Sequence, residues 1–267
     1  MQNLRPSGRR ARLRPPYGIR FRKIARDGKH TDFAAEGKPP GSFVVVSPAM
    51  PGLFITFEGL DGSGKSTHLR RAAAWLAERG VPHLVTHEPG GTPLGDAVRS
   101  LFLDPRWGTL DGVVELLLVF ASRRQHLLQV VEPALREGRH VLCDRFTDST
   151  KAYQGYGRGV PLAVIDQVDR LATGGRVPDR TLLFDLPAAA ARARGHSLSR
   201  QERGAADRLD AEALDFYERV RRGFLEMAAG DPRFQVIDSS GPPYATEPQV
   251  RQALSDLLAA CRLESGA

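Results

Sequence analysis

Short apolar runs alternate with longer amphipathic stretches from about residue 53 to residue 261. The apolar runs predict five strands, at 53–57, 83–86, 140–143, 181–185 and 234–237. Apolar residues at helical spacing predict helices near 66–79, 113–136, 161–171, 211–228 and 247–261. Strands that alternate with helices of this length indicate βαβ units, so the pattern predicts an α/β domain built on a parallel sheet.

This alternation is absent before residue 50. Residues 1–49 hold 11 Lys and Arg against 3 Asp and Glu, and they are rich in Arg, Pro and Gly. We predict a disordered basic extension there. A transit peptide, or a misassigned start with Met50 as the first residue, are the other interpretations. The domain itself is expected to span residues 50–267.

Charge and cysteine content narrow the function classes. The chain carries a net charge of +7, but residues 50–267 hold 27 basic and 28 acidic side chains, so the excess belongs to the extension. A nucleic-acid surface on the domain is therefore not expected. No apolar run is long enough for a membrane span. The two cysteines, Cys143 and Cys261, lack a metal-site spacing, which favours a reduced, cytoplasmic setting.

A glycine-rich stretch directly after the first predicted strand carries the clearest chemistry. Residues 59–66 fit the phosphate-binding pattern G-x-x-x-x-G-K-[ST] at every fixed position. Glycines let successive backbone N–H groups point at one anion, and the following helix adds its positive end. Lys65 is expected to bridge the β- and γ-phosphates of ATP, and Ser66 to ligate Mg²⁺. The predicted ATP-binding residues are Gly59, Leu60, Asp61, Gly62, Ser63, Gly64, Lys65, Ser66 and Thr67.

The position of this motif, after a strand and before a helix, predicts a fold. We expect a three-layer P-loop NTPase fold, in which the five-stranded parallel sheet is flanked by helices. The motif alone does not separate a kinase from a GTPase or a motor ATPase. The absence of an N-K-x-D guanine signature makes the GTPase interpretation weaker.

Several further segments, in order along the chain, resemble bacterial thymidylate kinase. They are the loop 58–67, His-Glu-Pro-Gly-Gly-Thr at 87–92, the helix 115–135 with its Arg-Arg-Gln-His, the block 144–155 from Asp-Arg-Phe to Ala-Tyr-Gln-Gly, Pro178-Asp179 and Asp207-Arg208. The resemblance covers about residues 52–260 and implies transfer of the γ-phosphate of ATP to dTMP, with Mg²⁺. Another P-loop nucleoside monophosphate or deoxynucleoside kinase is the alternative. A P-loop ATPase or switch would leave the 144–155 block without a role.

The acceptor side follows from chemistry and from the resemblance together. Arg145 lies just after a predicted strand, where doubly wound sheets bind ligands, and its guanidinium can hold an acceptor phosphate bidentately. Asp144 suits a water-mediated Mg²⁺ contact, so the expected metal ligands are Ser66 and Asp144. The resemblance implies that Arg123 reaches O4 of thymine and that Asp61 faces the sugar 3′-hydroxyl. The residues expected to bind dTMP are Asp61, Arg99, Phe120, Arg123, Arg145, Ser149, Thr150, Tyr153 and Gln154.

Two positions depart from the family pattern. His87 stands where the family usually has Arg, which weakens one expected phosphate contact. Val119 stands where a Phe usually stacks on thymine. We therefore expect Phe120 or a shift in helix phase to supply the ring, or the stacking to be weaker.

An arginine-dense segment at about 190–207 is expected to form a small lid over ATP. In kinases of this type a mobile arginine must reach the transferring phosphoryl group. Gly62 occupies the position where some family members carry that arginine, so the lid must supply it. The expected catalytic residues are Lys65, Arg145, Arg194, Arg200 and Arg203, and the sequence does not choose among the three lid arginines.

The predicted helix 113–136 bears on partners. Its apolar positions follow helical spacing: Val114, Leu117, Leu118, Ala121, Leu128 and Val131. The resemblance implies a homodimer packed through helices that include this one. The expected ligands are ATP and dTMP. Neither a membrane nor a nucleic acid is expected as a partner.

Overall fold

The computed structural model of the chain describes residues 51–202 and 207–264, with side chains described at 51–195 and 207–261. The described strands are β1 (Phe54–Gly59), β2 (His83–His87), β3 (His140–Asp144), β4 (Arg180–Asp185) and β5 (Phe234–Asp238). They form one sheet in the order β2-β3-β1-β4-β5, and every neighbouring pair is parallel. The predicted α/β P-loop NTPase fold, with a five-stranded parallel sheet between helices, is confirmed.

Helices connect the strands. They are α1 (Lys65–Ala77), α2 (Pro93–Leu103), α3 (Gly112–His126), α4 (Glu132–Arg136), α5 (Thr147–Thr150), α6 (Leu162–Thr173), α7 (Ala188–Glu202), α8 (Leu214–Gly230) and α9 (Pro243–Glu264). Two π-helical turns, Leu127–Val131 and Lys151–Gly157, continue α3 and α5, and two short 3₁₀ helices occur at Pro105–Trp107 and Leu209–Ala211. Within the described residues, none of these helices is both long and apolar enough to cross a membrane.

The central strand β1 is buried along its whole length, and its alternating side chains supply both faces of the sheet. Ile55 packs on one face with Leu69 of α1 and Leu254 of α9. Phe54 packs on the other face, where its ring meets that of Phe146 edge-on at a centroid distance of 4.9 Å. Since β1 and β3 end side by side, the loops that follow them open on the same edge of the sheet.

The structure contains helices that the sequence pattern does not predict. Helix α2 is one of them, although Thr92 caps its start by accepting a hydrogen bond from the Gly95 N–H at 3.0 Å. Helix α5 and the π turn that continues it are also outside the predicted elements. The predicted helix 113–136 is divided into α3, a wider π turn and α4. Pro133 lies at this junction, and its missing N–H cannot close an ordinary helical turn.

The apolar positions of the predicted helix 113–136 do not all face the core. Val114 and Leu117 of α3 and Leu128 of the following π turn are 45%, 56% and 51% exposed. The buried face of α3 is instead formed by Glu115, Leu116, Val119, Phe120, Ser122, Arg123 and His126. The apolar stripe on the outside therefore needs another explanation than core packing.

Candidate active site

The phosphate-binding loop joins β1 to α1 and depends on glycine backbone geometry. Gly59, Gly62 and Gly64 have φ angles of 135°, 83° and 89°, which other residues rarely adopt. A Cβ at Gly62 would lie 2.2 Å from the carbonyl oxygen of Ala191, so α7 packs directly on this loop. Lys65, the first residue of α1, is 5% exposed and its Nζ donates to Asp61 Oδ1 at 3.0 Å.

Arg145 lies on the loop after β3 and has a left-handed backbone, with φ 72°. Its Nη1 donates to the Gly59 carbonyl at 2.9 Å and to Ser149 Oγ at 2.8 Å. Its Nη2 donates to Asp61 Oδ1 at 2.8 Å, and its guanidinium lies 5.0 Å from the centre of the Tyr153 ring. The geometry therefore aims the guanidinium at the phosphate-binding loop.

Asp61 joins the two cations. Lys65 and Arg145 contact the same Oδ1 atom, at 3.0 and 2.8 Å. Burial alone would raise the pKa of this carboxyl, but the charges of Arg145 and Lys65 outweigh it and hold the pKa below its usual range. The two cations therefore lie beside each other at one end of the cleft.

Ser66 and Asp144 form a candidate metal site next to Lys65. Ser66 Oγ donates to Asp144 Oδ2 at 2.5 Å, and the buried Asp144 Oδ1 has no hydrogen-bonding partner among the described residues. The described side chains include no cluster of three or more metal-ligating His, Cys, Asp or Glu groups. Mg²⁺, however, usually takes one or two protein ligands and completes its shell with water and phosphate oxygens, so this pair fits the ion.

One cleft of about 330 Å³ connects these groups to the predicted acceptor residues. Of the predicted dTMP residues, the structure brings eight to its wall: Asp61, Arg99, Arg123, Arg145, Ser149, Thr150, Tyr153 and Gln154. Gly62, Gly64, Lys65, Ser66 and Thr67 line the same cleft, whereas the buried Leu60 packs in the core. His87 lies in an adjoining depression with Arg70 and Arg99.

Arg123 stands deep in this cleft with a free donor. It is 1% exposed, its Nε donates to Glu88 Oε2 at 2.6 Å and its Nη2 donates to Thr150 Oγ1 at 3.0 Å. Its Nη1 is buried and has no partner within the described part of the chain. Since an unsatisfied buried donor is unfavourable, this nitrogen suits a ligand acceptor.

A chain of buried groups fixes Arg123. Glu88 also contacts His126 Nδ1 at 2.8 Å, and His126 Nε2 lies 2.6 Å from Thr86 Oγ1. Burial raises the pKa of Glu88, but Arg123 and His126 outweigh burial and lower it below its ordinary value. Glu88 is therefore an ionised carboxylate that holds the arginine.

The expectation for Phe120 needs correction. Its ring lies 4.5 Å from the guanidinium of Arg123 and belongs to the core cluster of Leu116, Val160 and Ile165. Phe120 is not among the residues that line the cleft, and Val119 is. The aromatic ring expected against the base therefore does not come from Phe120 in this geometry.

The lid is described only in part. Helix α7 includes Arg194, whose Nη1 and Nη2 donate to the carbonyls of Ser239 and Ser240 at 3.2 and 3.3 Å. The backbone of Gly195 lines the cleft. The side chain of Arg200 and the whole of Arg203 lie outside the described residues.

Sequence reasoning missed the buried carboxylates that support the cleft. Glu58 accepts the Phe146 N–H at 2.7 Å and the Ser149 hydroxyl at 2.5 Å, and burial, with a contribution from Asp148, raises the pKa of Glu58 to about 8. Glu115 is completely buried beside Gln154. The sequence signal that could have found them is an acidic residue directly after a predicted strand, as at Glu58, or inside a predicted helix, as at Glu115.

The fold and the cleft define the class of protein: a P-loop protein whose phosphate-binding loop opens on a cleft lined by Arg99, Arg123 and Arg145. The profile of the thymidylate kinase family matches residues 57–250. A thymidylate kinase from Desulfovibrio desulfuricans is 46% identical over 209 residues, which cover 77% of this chain and 96% of its own. One from Ectopseudomonas mendocina is 45% identical over 214 residues, which cover 80% and 100%.

Solved structures agree with the sequence comparisons. The crystal structure of thymidylate kinase from Ehrlichia chaffeensis matches with a TM-score of 0.58 and 36% identity, covering 76% of this chain and 99% of that one. The chain belongs to the thymidylate kinase family.

Proposed function

We propose that this protein transfers the γ-phosphate of ATP to dTMP, giving dTDP and ADP, a step toward dTTP for DNA synthesis. One observation carries the proposal: Lys65 Nζ and Arg145 Nη2 contact the same oxygen of Asp61. Phosphoryl transfer needs donor and acceptor phosphates held in line with their charges neutralised. A cation of the ATP loop beside a cation of the acceptor cleft meets that need.

The chemical step follows from these positions. Lys65 and the backbone N–H groups of the loop hold the β- and γ-phosphates of ATP and stabilise the charge that develops during transfer. Arg145 and Arg99 hold the phosphate of dTMP. A phosphate-monoester oxygen is already a competent nucleophile near neutral pH, so no general base is required. One lid arginine among Arg194, Arg200 and Arg203 completes the neutralisation when the lid at about 190–207 closes.

Mg²⁺ belongs to the proposal as well. Ser66 would ligate it directly and Asp144 through water, and the unpartnered Oδ1 of Asp144 supports that role. When bound, the ion offsets charge on the β- and γ-phosphates.

The other end of the cleft recognises the nucleoside. Arg123 Nη1 donates to O4 of thymine, and Gln154 approaches N3. Ser149, Thr150 and Tyr153 line the space between base and phosphate. Asp61 contacts the sugar 3′-hydroxyl.

An ADP-release assay across acceptors tests the proposal. With ATP and Mg²⁺, we expect the highest kcat/KM for dTMP, above dCMP, CMP, AMP and GMP, and no turnover of thymidine, which lacks the phosphate that Arg145 holds. Highest activity with another monophosphate would assign the chain to a different nucleotide kinase. ADP release at full rate without any acceptor would instead indicate an ATPase.

The same assay tests the domain proposal. We propose that the kinase domain spans residues 50–267 and that kinase activity does not need the basic extension 1–49. The full chain and residues 50–267 should have equal kcat and KM. We also propose a cytoplasmic setting, which agrees with the low cysteine content of the chain, Cys143 and Cys261.

A homodimer is the proposed assembly, because α3 carries an exposed apolar stripe. Val113 and Val114 are each 45% exposed, and Leu117 is 56% exposed. Leu117→Glu should shift the protein from dimer to monomer in sedimentation analysis, because it puts a charge in the buried interface. Tyr244→Glu, on the exposed start of α9, is the matched control and should leave the mass unchanged. A monomeric wild-type protein would contradict the proposal.

A further inference from the structure

Glu115 is a completely buried carboxylate behind the nucleoside end of the cleft. Its two oxygens have different partners. Oε1 accepts from Arg208 Nη1 at 2.6 Å and from Arg158 Nε at 3.2 Å. Oε2 accepts from Gln154 Nε2 at 2.8 Å. A carboxylate that satisfies two guanidinium groups and an amide in the interior is held in one orientation.

This contact decides which atom Gln154 offers to a ligand. A carboxylate can only accept hydrogen bonds, so the amide must turn its NH₂ group toward Glu115. The Gln154 side chain lines the cleft, and its Oε1 atom makes no hydrogen bond with the described residues. The atom left for a ligand is therefore an acceptor.

Gln154 Oε1, a hydrogen-bond acceptor, lies in the same cleft as a hydrogen-bond donor, the buried Nη1 of Arg123, which has no partner among the described residues. One donor with one acceptor matches a 4-oxopyrimidine, which offers the O4 acceptor and the N3–H donor. A 4-aminopyrimidine such as cytosine offers the reverse: an amino donor at position 4 and an acceptor at N3. Each mismatch would leave like groups facing each other in a buried site.

We propose that Glu115 is a positioning residue that fixes the Gln154 amide with its oxygen toward the base, and so makes the cleft select 4-oxopyrimidine over 4-aminopyrimidine nucleotides. The inference rests on the proposed function, since it assumes that the base of the acceptor lies beside Gln154. It assigns the selectivity to a residue that does not touch the substrate.

Glu115→Gln tests the proposal because the change is nearly isosteric. The two arginines require an oxygen at the Oε1 position, so the new NH₂ group takes the Oε2 position and donates toward Gln154. Gln154 must then turn its own oxygen inward and present NH₂ to the base. We expect the ratio of kcat/KM for dTMP to kcat/KM for dCMP to fall at least tenfold, mainly through a higher KM for dTMP. A structural role alone would lower both values in parallel and leave the ratio unchanged.

Two further variants complete the experiment. Glu132→Gln removes a carboxylate that pairs with Arg176 near the surface of α4 and should leave the ratio unchanged. Gln154→Met removes the amide, so the ratio should fall and adding Glu115→Gln should not lower it further. If Glu115→Gln does not fold, an unchanged ratio in Gln154→Met overturns the inference and a fall supports it. A wild-type enzyme that does not use dTMP would refute the proposed function, whereas an unchanged ratio in folded Glu115→Gln refutes only this inference.

Discussion

The two ends of the cleft are built in opposite ways. The end proposed to bind ATP, called the ATP end, is one continuous segment, residues 59–67, whose geometry depends on the positive φ angles of three glycines. The end proposed to bind dTMP, called the acceptor end, collects side chains from separate elements: Arg145 after β3, Arg123 from α3 and Gln154 from the π turn after α5. Backbone conformation forms the first end, and long-range side-chain contacts form the second.

Buried carboxylates make the acceptor end rigid. Glu58 holds Ser149 and thereby Arg145, Glu88 holds Arg123, and Glu115 holds Gln154. Removing one member of such a pair leaves a polar group buried without its partner, which is more damaging than losing an exposed ion pair. The two ends also have different proposed roles, since one stabilises the transferring phosphoryl group and the other holds dTMP. For that reason, substitutions at the ATP end should act mainly on kcat, and substitutions at the acceptor end mainly on the KM for dTMP.

The largest effect is expected for Lys65→Ala at the ATP end. The change removes the charge that stabilises the transferring phosphoryl group, so kcat should fall about 10²–10³-fold or more. Steady-state kinetics with saturating ATP and dTMP would measure it. Lys151→Ala is the matched control, because Lys151 pairs with Asp166 and does not line the cleft. Retention of more than a few per cent of activity in a folded Lys65→Ala protein would remove Lys65 from the catalytic group.

Arg145→Ala should give the next largest effect, with a different kinetic signature. Loss of the guanidinium should raise the KM for dTMP about 10–100-fold and change the KM for ATP far less. Arginine and alanine both carry a Cβ, so the strain of the left-handed backbone at position 145 is the same in both proteins. The change in the KM for dTMP therefore reports on the guanidinium. Arg106→Ala, an 80% exposed side chain, is the control. Equal changes in both KM values would contradict an acceptor role for Arg145.

The sequence predicts the ATP end better than the acceptor end, because the first is built from neighbouring residues and the second from residues of separate elements. The ATP end consists of neighbouring residues, so one motif identifies nearly all of it, and the strands are placed to within about two residues. At the acceptor end, Glu88 and Arg123 are separated by 35 positions and Glu115 and Arg208 by 93. A linear pattern does not contain such pairings.

Glu115 and Phe120 illustrate what local rules miss. Glu115 lies in the first turn of α3, where an acidic residue is ordinarily explained by the helix dipole rather than by burial. Phe120 follows Val119 by one residue, and one step along a helix turns the side chain by about 100°. The cleft therefore faces Val119 while the aromatic ring packs in the core.

The remaining prediction concerns stability rather than activity and comes from Glu58. Its pKa in the folded protein is about 8, above the ordinary value of 4.5, so the folded state favours the protonated form. This contribution is fully present below about pH 4.5 and is lost as pH rises through about 8, where the buried carboxyl must ionise. The loss is on the order of 3–5 kcal/mol at most. Glu58→Gln cannot ionise, so its free energy of unfolding should increase relative to the wild type between pH 5 and pH 8.

Chemical denaturation of both proteins at pH 5, 6.5 and 8 would measure this difference. Glu132→Gln, which alters a partly exposed ion pair, should follow the wild-type pH dependence in parallel. If the difference in the free energy of unfolding between Glu58→Gln and the wild type is the same at all three pH values, Glu58 ionises alike in the folded and unfolded states. The acceptor end would then hold Arg145 through Ser149 with a permanently charged carboxylate, as Glu88 holds Arg123. A difference that grows with pH would instead separate Glu58 from the ionised Glu88, because burial rather than a paired cation controls its proton.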